Sequence, residues 1–201
     1  MRYFRLARFP LWAITRYSQR AGRGWRPPTA AGRALNIGTG GHDLVGWVNL
    51  DETKPGDVLA RVPPVPFRDE CFDEILMCHV VEHMTLDDGR ALMKECHRIL
   101  KPGGVVTIIV PDAKIISLAY LAGQVDNWTL NDLYVYSYCQ ESPHRWFYDR
   151  RTLNQIAMDA GFVGLRRLNR FTDDHIMAPA WFQTGLAAAK PSTSTSANTF
   201  G

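Results

Sequence analysis

Residues 35–51 read LNIGTGGHDLVGWVNLD, and this stretch decides the fold. A short apolar run, Ala34–Ile37, ends in Gly38-Thr39-Gly40-Gly41, and a second run, Trp47–Leu50, ends in Asp51. Gly38, Gly40 and Gly41 let the backbone turn sharply after a strand and approach a ligand with no Cβ in the way. Asp51, closing the second strand, offers a carboxylate to the two hydroxyls of a ribose. Ten residues separate Gly40 from Asp51, too few for a full crossover helix plus a strand. The first helix is therefore very short or absent. A helix N-terminus is the usual cradle for pyrophosphate. Its loss favours a nucleoside cofactor over a dinucleotide and disfavours a nicotinamide oxidoreductase.

The alternation continues downstream. Phe72–Cys78 reads as a third strand after the turn-like Arg68-Asp69-Glu70. Thr85 caps a helix with Asp88 three residues on, and Leu92, Met93, Cys96, Ile99 and Leu100 share one face of it. Lys101-Pro102-Gly103-Gly104 stops that helix. Val105–Val110 is a β-branched run with the look of a strand buried on both faces. Helices are expected over Ala113–Ala122 and Arg150–Ala160, each ended by a glycine, Gly123 and Gly161. Strands alternating with helices imply an α/β fold, a Rossmann-like, mostly parallel sheet with helices on both faces. Ligands then bind beyond the carboxyl ends of the strands. Gly38–Gly41, Asp51, His79–His83 and Pro111–Asp112 lie at such ends.

Composition sets the frame. The chain has 201 residues, 46% hydrophobic and 21% charged, which fits one soluble domain. No apolar run approaches the length of a membrane span. Cys71, Cys78, Cys96 and Cys139 form no C-x-x-C pair, and the six histidines complete no zinc spacing. No metal site is expected, and a reducing cytoplasm is. The net charge of +3 is uneven. Residues 1–30 hold seven arginines and no acid, while in the rest 16 basic residues face 20 acidic ones. Such a body is a poor nucleic-acid footprint, so nucleic acid is a disfavoured partner. The basic segment, with a helix expected at Leu11–Arg20 and a linker at Pro27–Pro28, has three readings: a solvated helix packed on the domain, a peripheral membrane anchor, or a partner contact. It resembles neither a secretory signal nor a span, although an Arg-rich start is also seen in transit peptides. The expected organisation is a basic extension over 1–30, a domain over 31–188 and a disordered Ser/Thr-rich tail over 189–201.

Four ordered stretches carry a family resemblance: LNIGTGGHDLVGWVNLD, DVLARVPPVPFRDECFDEILMCHVVEHM, LKPGGVVTIIVPD and HRWFYDRRTLNQIAMDAGF. Together, from Ala34 to Phe162, they resemble the class I S-adenosylmethionine-dependent methyltransferases, in a short form with a truncated first helix. The resemblance implies S-adenosylmethionine as cofactor. It implies that Gly38, Gly40 and Gly41 face its methionine and ribose, that Asp51 takes the ribose, and that His79 lines the floor near the sulfonium. Asn36 stands where the family often has an acid, and it retains a hydrogen-bonding group for the cofactor. His42 replaces the third glycine of the usual loop, and Arg61 an acid that contacts adenine.

Methyl transfer is an in-line displacement in which positioning contributes most. A hydroxyl nucleophile also needs a general base, for which histidine is suited. The candidates are His144, in the loop Pro143–Tyr148 rich in aromatics, and His83, at the turn after the third strand. Each also has a plain reading, as a loop-fixing or a capping residue. Asp112 either caps the following helix or reaches the substrate. Trp128, Tyr134, Tyr136 and Tyr138 either pack on the domain or form a lid over a ring-shaped acceptor. His97 is expected to be exposed on its helix. The expected activity is methyl transfer to oxygen or nitrogen of a small molecule or glycan. The alternatives are a macromolecular methyltransferase acting on RNA or protein, and an inactive scaffold of the same fold.

Overall fold

The computed structural model describes residues 33–54, 56–131, 134, 143–168 and 182–192. The expectations for residues 1–30, for Tyr136, Tyr138 and Cys139, and for most of the tail lie outside them. Among the described residues seven strands form one sheet: β1 (Ala34–Ile37), β2 (Val48–Asp51), β3 (Val58–Leu59), β4 (Phe72–Cys78), β5 (Leu100–Pro111), β6 (Val163–Leu168) and β7 (Gln183–Ala189). Their order is β3-β2-β1-β4-β5-β7-β6. Pairing is parallel from β3 through β5, and β7 runs antiparallel to both β5 and β6. This is the Rossmann-like, mostly parallel sheet expected. The direction of winding reverses between β1 and β4, and the site lies at that reversal.

The central strands are largely buried, with apolar residues packed in the core and Asn36, Asn49 and Asp51 buried among hydrogen-bond partners. β1 and β2 alternate strictly. Leu35, Ile37 and Leu50 enter the main core with Ile75, Met77, Val106 and Ile108. Ala34, Leu44, Trp47, Leu76 and Ile109 form a second, smaller cluster. Between Ile37 and Val48 there is no helix, as the ten-residue spacing requires. The loop that replaces it turns Leu44 and Trp47 into the second cluster.

The main core is covered by α1 (Leu86–Ile99) and α4 (Arg150–Asp159). Thr85 caps α1 by accepting from the Asp88 amide and donating to its carboxylate at 2.7 Å. Asp149 caps α4 through the Thr152 amide. Leu92, Met93, Cys96 and Ile99 of α1 meet Leu153, Ile156 and Ala157 of α4 and the sheet in one core. Between them lie α2 (Ala113–Leu121) and the short α3 (Asn127–Asn131). Arg98 fastens the Val65–Asp69 segment to α1. Its guanidinium donates to the carbonyls of Val65 and Phe67 and to the carboxylates of Asp69 and Glu95.

Two expectations are corrected. β5 begins at Leu100 rather than Val105, because Leu100 pairs with Phe72 before the register shifts and Glu74 meets Val105. His97 is half-buried, its ring edge-on to Phe162 with centroids 5.1 Å apart, because the turn at Gly161 folds over α1. Cys71 and Cys96 are buried, and Cys78 is partly so.

Candidate active site

The glycine loop and the exit of β4 touch at one point. Gly38 has φ +70 and donates its amide to Leu50 O at 2.7 Å. A Cβ built on it would lie 2.5 Å from Val80 Cγ2, so only glycine lets the two strand ends meet. Gly40 and Gly41 also have positive φ, but a Cβ on either would meet open space.

Asp51 holds this loop from the next strand. Its Oδ2 accepts from the Gly40 amide, and its Oδ1 accepts from the amides of Thr53 and Lys54, each at 2.9 Å. Burial alone would raise this carboxyl. The three amides outweigh burial and hold it below the usual carboxylate range. Asp51 is thus ionised and fixed in orientation before any ligand arrives.

Asn36 lies directly across from Asn49 in the β1–β2 register. Its side-chain amide donates to Asn49 Oδ1 at 3.2 Å and to His42 O at 3.3 Å. Asn49 does more. Its Oδ1 also accepts from the Leu44 amide, and its Nδ2 donates to the carbonyls of Leu44 and Trp47 and to Asp57. One side chain therefore pins the loop that stands in for the missing helix. Arg61 is exposed and lies 3.9 Å from Glu52.

Beyond Val80 the chain gathers imidazoles around one carboxylate. His79 adopts φ +55, uncommon outside glycine. Its amide donates to Ile109 O, which holds the turn against β5. Gln183 Nε2 donates to His79 Nε2 at 2.8 Å, so His79 carries its proton on Nδ1 and donates it to Glu82 Oε1, also at 2.8 Å. Glu82 sits in a single 3-10 turn, Val81–His83, and is 1% exposed. Burial would raise its carboxyl, but the His79 hydrogen bond and the nearby His79, His83 and His144 rings hold it low.

His83 and His144 arrive from opposite sides. The amides of Arg145 and Trp146 both donate to the Glu82 carbonyl, at 2.7 and 3.2 Å. This pins the Pro143–Tyr148 segment to the turn and sets the two rings side by side, centroids 4.8 Å apart. A narrow cavity opens next to them, lined by Glu82, Pro111, Ile116, His144, Trp146 and Phe147. Asp112 resolves as the cap of α2, accepting from the amides of Lys114 and Ile115, and burial raises its carboxyl. Tyr134 bonds to Ser117 and to the Ala113 carbonyl, while Trp128 is exposed.

The structure thus groups Gly38, Gly40 and Asp51 on one side of Val80 and His79, His83 and His144 on the other. Glu82, Gln183 and Asn49 escaped the sequence reading. Glu82 had a signal, its place beside His83. Gln183 had none, because it reaches His79 from a strand 104 residues away.

Residues 45–108 match the family model described as a methyltransferase domain. The ubiquinone/menaquinone biosynthesis C-methyltransferase of Neisseria gonorrhoeae is 33% identical over 115 residues, 52% of this chain and 44% of the relative. The chain therefore spans less than half the length of that curated relative. Among solved structures, a possible histamine N-methyltransferase of Thermotoga maritima aligns with TM-score 0.54 at 18% identity, covering 80% of this chain and 83% of its own. A methyltransferase of Archaeoglobus fulgidus aligns with TM-score 0.51 at 13% identity, covering 81% and 87%. At these identities the structural likeness speaks for the fold.

Proposed function

On the premise that this chain belongs to the class I S-adenosylmethionine-dependent methyltransferase superfamily, we propose that it methylates a small acceptor held beside the His79–Glu82–His83–His144 cluster. The observation that carries this reading is the position of that cluster. A buried carboxylate ringed by imidazoles stands two residues from the contact between Val80 and the glycine loop.

The residues present fit the cofactor. The glycines leave open space around Gly40 and Gly41, and Asp51 is an oriented, ionised acceptor. Gly38, Gly40, Gly41 and Asp51 would hold its methionine and ribose parts, with His79 at the floor and Asn36 supporting the loop from behind. When bound, S-adenosylmethionine supplies an electrophilic methyl group on a sulfonium. The chain's own part is placement and proton handling. Trp146, Phe147 and Ile116 line the narrow cavity beside His144, which would have to widen to admit the acceptor. His83 or His144 takes the acceptor's proton, and Glu82 stabilises the imidazolium formed. The favoured acceptor atom is oxygen or nitrogen of a small molecule. The exposed Trp128, near Tyr134, keeps a glycan within that class. Carbon is the second reading, supported by the likeness to the Neisseria C-methyltransferases. A carbon acceptor activated through an adjacent hydroxyl would use the same base.

Calorimetric titration with S-adenosylhomocysteine tests the reading. Micromolar binding by the full chain is expected, weakened at least about tenfold, or roughly 1.4 kcal/mol, by Asp51→Asn. No binding by folded wild-type protein would move the weight to a scaffold that kept the fold without catalysis.

A further inference from the structure

We propose that Glu82, His83 and His144 form a binding site for a first-row divalent cation, with open coordination positions facing the acceptor cavity. Among the described residues these three bring a carboxylate oxygen and two imidazole nitrogens within 4.8 Å of one another.

Two buried atoms point to a ligand. Glu82 Oε2 has no hydrogen-bond partner although its side chain is only 2% exposed. His83 Nδ1 is buried and without a partner as well. A buried carboxylate oxygen left unpaired is costly, and so is an unpaired ring nitrogen. The two are not hydrogen-bonded to each other, so neither satisfies its neighbour. A cation satisfies both at once. Two neutral imidazoles and one carboxylate give the donor set a charge of −1, which suits zinc, manganese, iron or cobalt better than the all-oxygen preference of calcium.

The surroundings fit the same role. His79 donates to Glu82 Oε1 and is itself fixed by Gln183, so the carboxylate is oriented with Oε2 left for the cation. Metal-binding groups are commonly held by such outer partners. Two ligand atoms bonded to one ion at roughly 2.1 Å stand at most about 4.2 Å apart. Binding therefore draws the widest pair together by at least about 0.6 Å. His144 can supply that shift, since it sits in a segment that is neither helix nor strand.

Three protein ligands leave positions for an acceptor oxygen, the pattern of a catalytic rather than a structural site. This part of the inference rests on the methyltransferase reading. With the cation bound, the two ligand nitrogens no longer act as bases. The acceptor O–H bond breaks, its oxygen binds the cation, and the proton leaves to solvent. The acceptors selected are those with an oxygen able to ligate, such as phenols, catechols and hydroxy acids.

The test is a titration of the untagged, chelator-treated full chain with Co2+, followed by visible absorption and calorimetry. The expected result is one equivalent bound at micromolar Kd, with ligand-field bands. His83→Ala and His144→Ala should each weaken it at least ~10-fold, and His79→Gln about 10- to 100-fold through loss of orientation. Absence of stoichiometric binding by wild type overturns the site. So does binding unchanged in both alanine variants while circular dichroism shows them folded. S-adenosylhomocysteine binding without Co2+ binding overturns this proposal and leaves the methyltransferase reading intact. Co2+ binding without S-adenosylhomocysteine binding does the reverse.

Discussion

Replacing Gly38 by alanine should cost this protein about 3 kcal/mol of stability, and the structure says where each part arises. The first part is backbone strain. At φ +70 an L-residue with a Cβ costs about 1 kcal/mol or more. The second is steric. The new methyl would lie 2.5 Å from Val80 Cγ2 and 3.3 Å from Val80 Cγ1, against a comfortable carbon–carbon separation of about 3.5–4.0 Å. Val80 is 8% exposed and β-branched, so it cannot swing away freely. Overpacking of this kind costs about 1–3 kcal/mol. Gly40→Ala is the control, since it has φ +57 and nothing within 4 Å of its Cβ, and it should lose only the strain, about 1 kcal/mol. Urea unfolding of wild type, both single variants, Val80→Ala and the Gly38→Ala/Val80→Ala double variant gives a complete cycle. The double variant should be more stable than additivity allows, by about 1–2 kcal/mol. The argument fails if Gly38→Ala costs no more than Gly40→Ala, or if the cycle is additive. On the proposed reading, S-adenosylhomocysteine affinity should fall with Gly38→Ala, because the added methyl forces apart the two strand ends that would frame the cofactor.

Other perturbations read different parts of the molecule. Glu74 lies on β4, where burial pushes its carboxyl up to about 7. Its pKa is then higher folded than unfolded, so the fold favours the protonated form, and stability falls as pH rises from about 4.5 to about 7. Glu74→Gln should match wild type near pH 4.5 and exceed it at pH 8 by about 1–2 kcal/mol, after allowance for its solvent contact. Thermal melts across that range check the sign, and an equal gain at both pH values would refute it. Gly89→Ala should destabilise by about 1–3 kcal/mol although alanine is the better helix former, because its Cβ would lie 2.6 Å from the hydroxyl of fully buried Tyr148. Denaturation of Gly89→Ala in a Tyr148→Phe background should recover much of that loss.

Much of the frame was legible from residue pattern. Capping at Thr85, the apolar face of α1 and the missing first crossover follow from local chemistry and spacing, and all three are present. β6 and β7 were not legible. The QTGLAAA strand, Gln183–Ala189, has little β-branched character, yet it is buried along nearly its whole length. Its place follows from pairing with β5 and from contact with α4, which are long-range facts. The site divided the same way. Glycines and Asp51 announce themselves by their position after strands. The grouping of His83 with His144 depends on two backbone amides finding the Glu82 carbonyl across 63 and 64 residues, and no periodicity records that.

The Asn36–Asn49 pair has a consequence for any redesign of the loop after β1. These two amides fill their hydrogen bonds largely within the compact 42–47 loop and with each other. A longer crossover grafted in its place would lay an apolar helix over them and leave each group unsatisfied, at about 1–3 kcal/mol apiece. Loop length and both asparagines therefore form one structural unit, to be changed together in any redesign. A design that inserts the helix has to replace all of them at once.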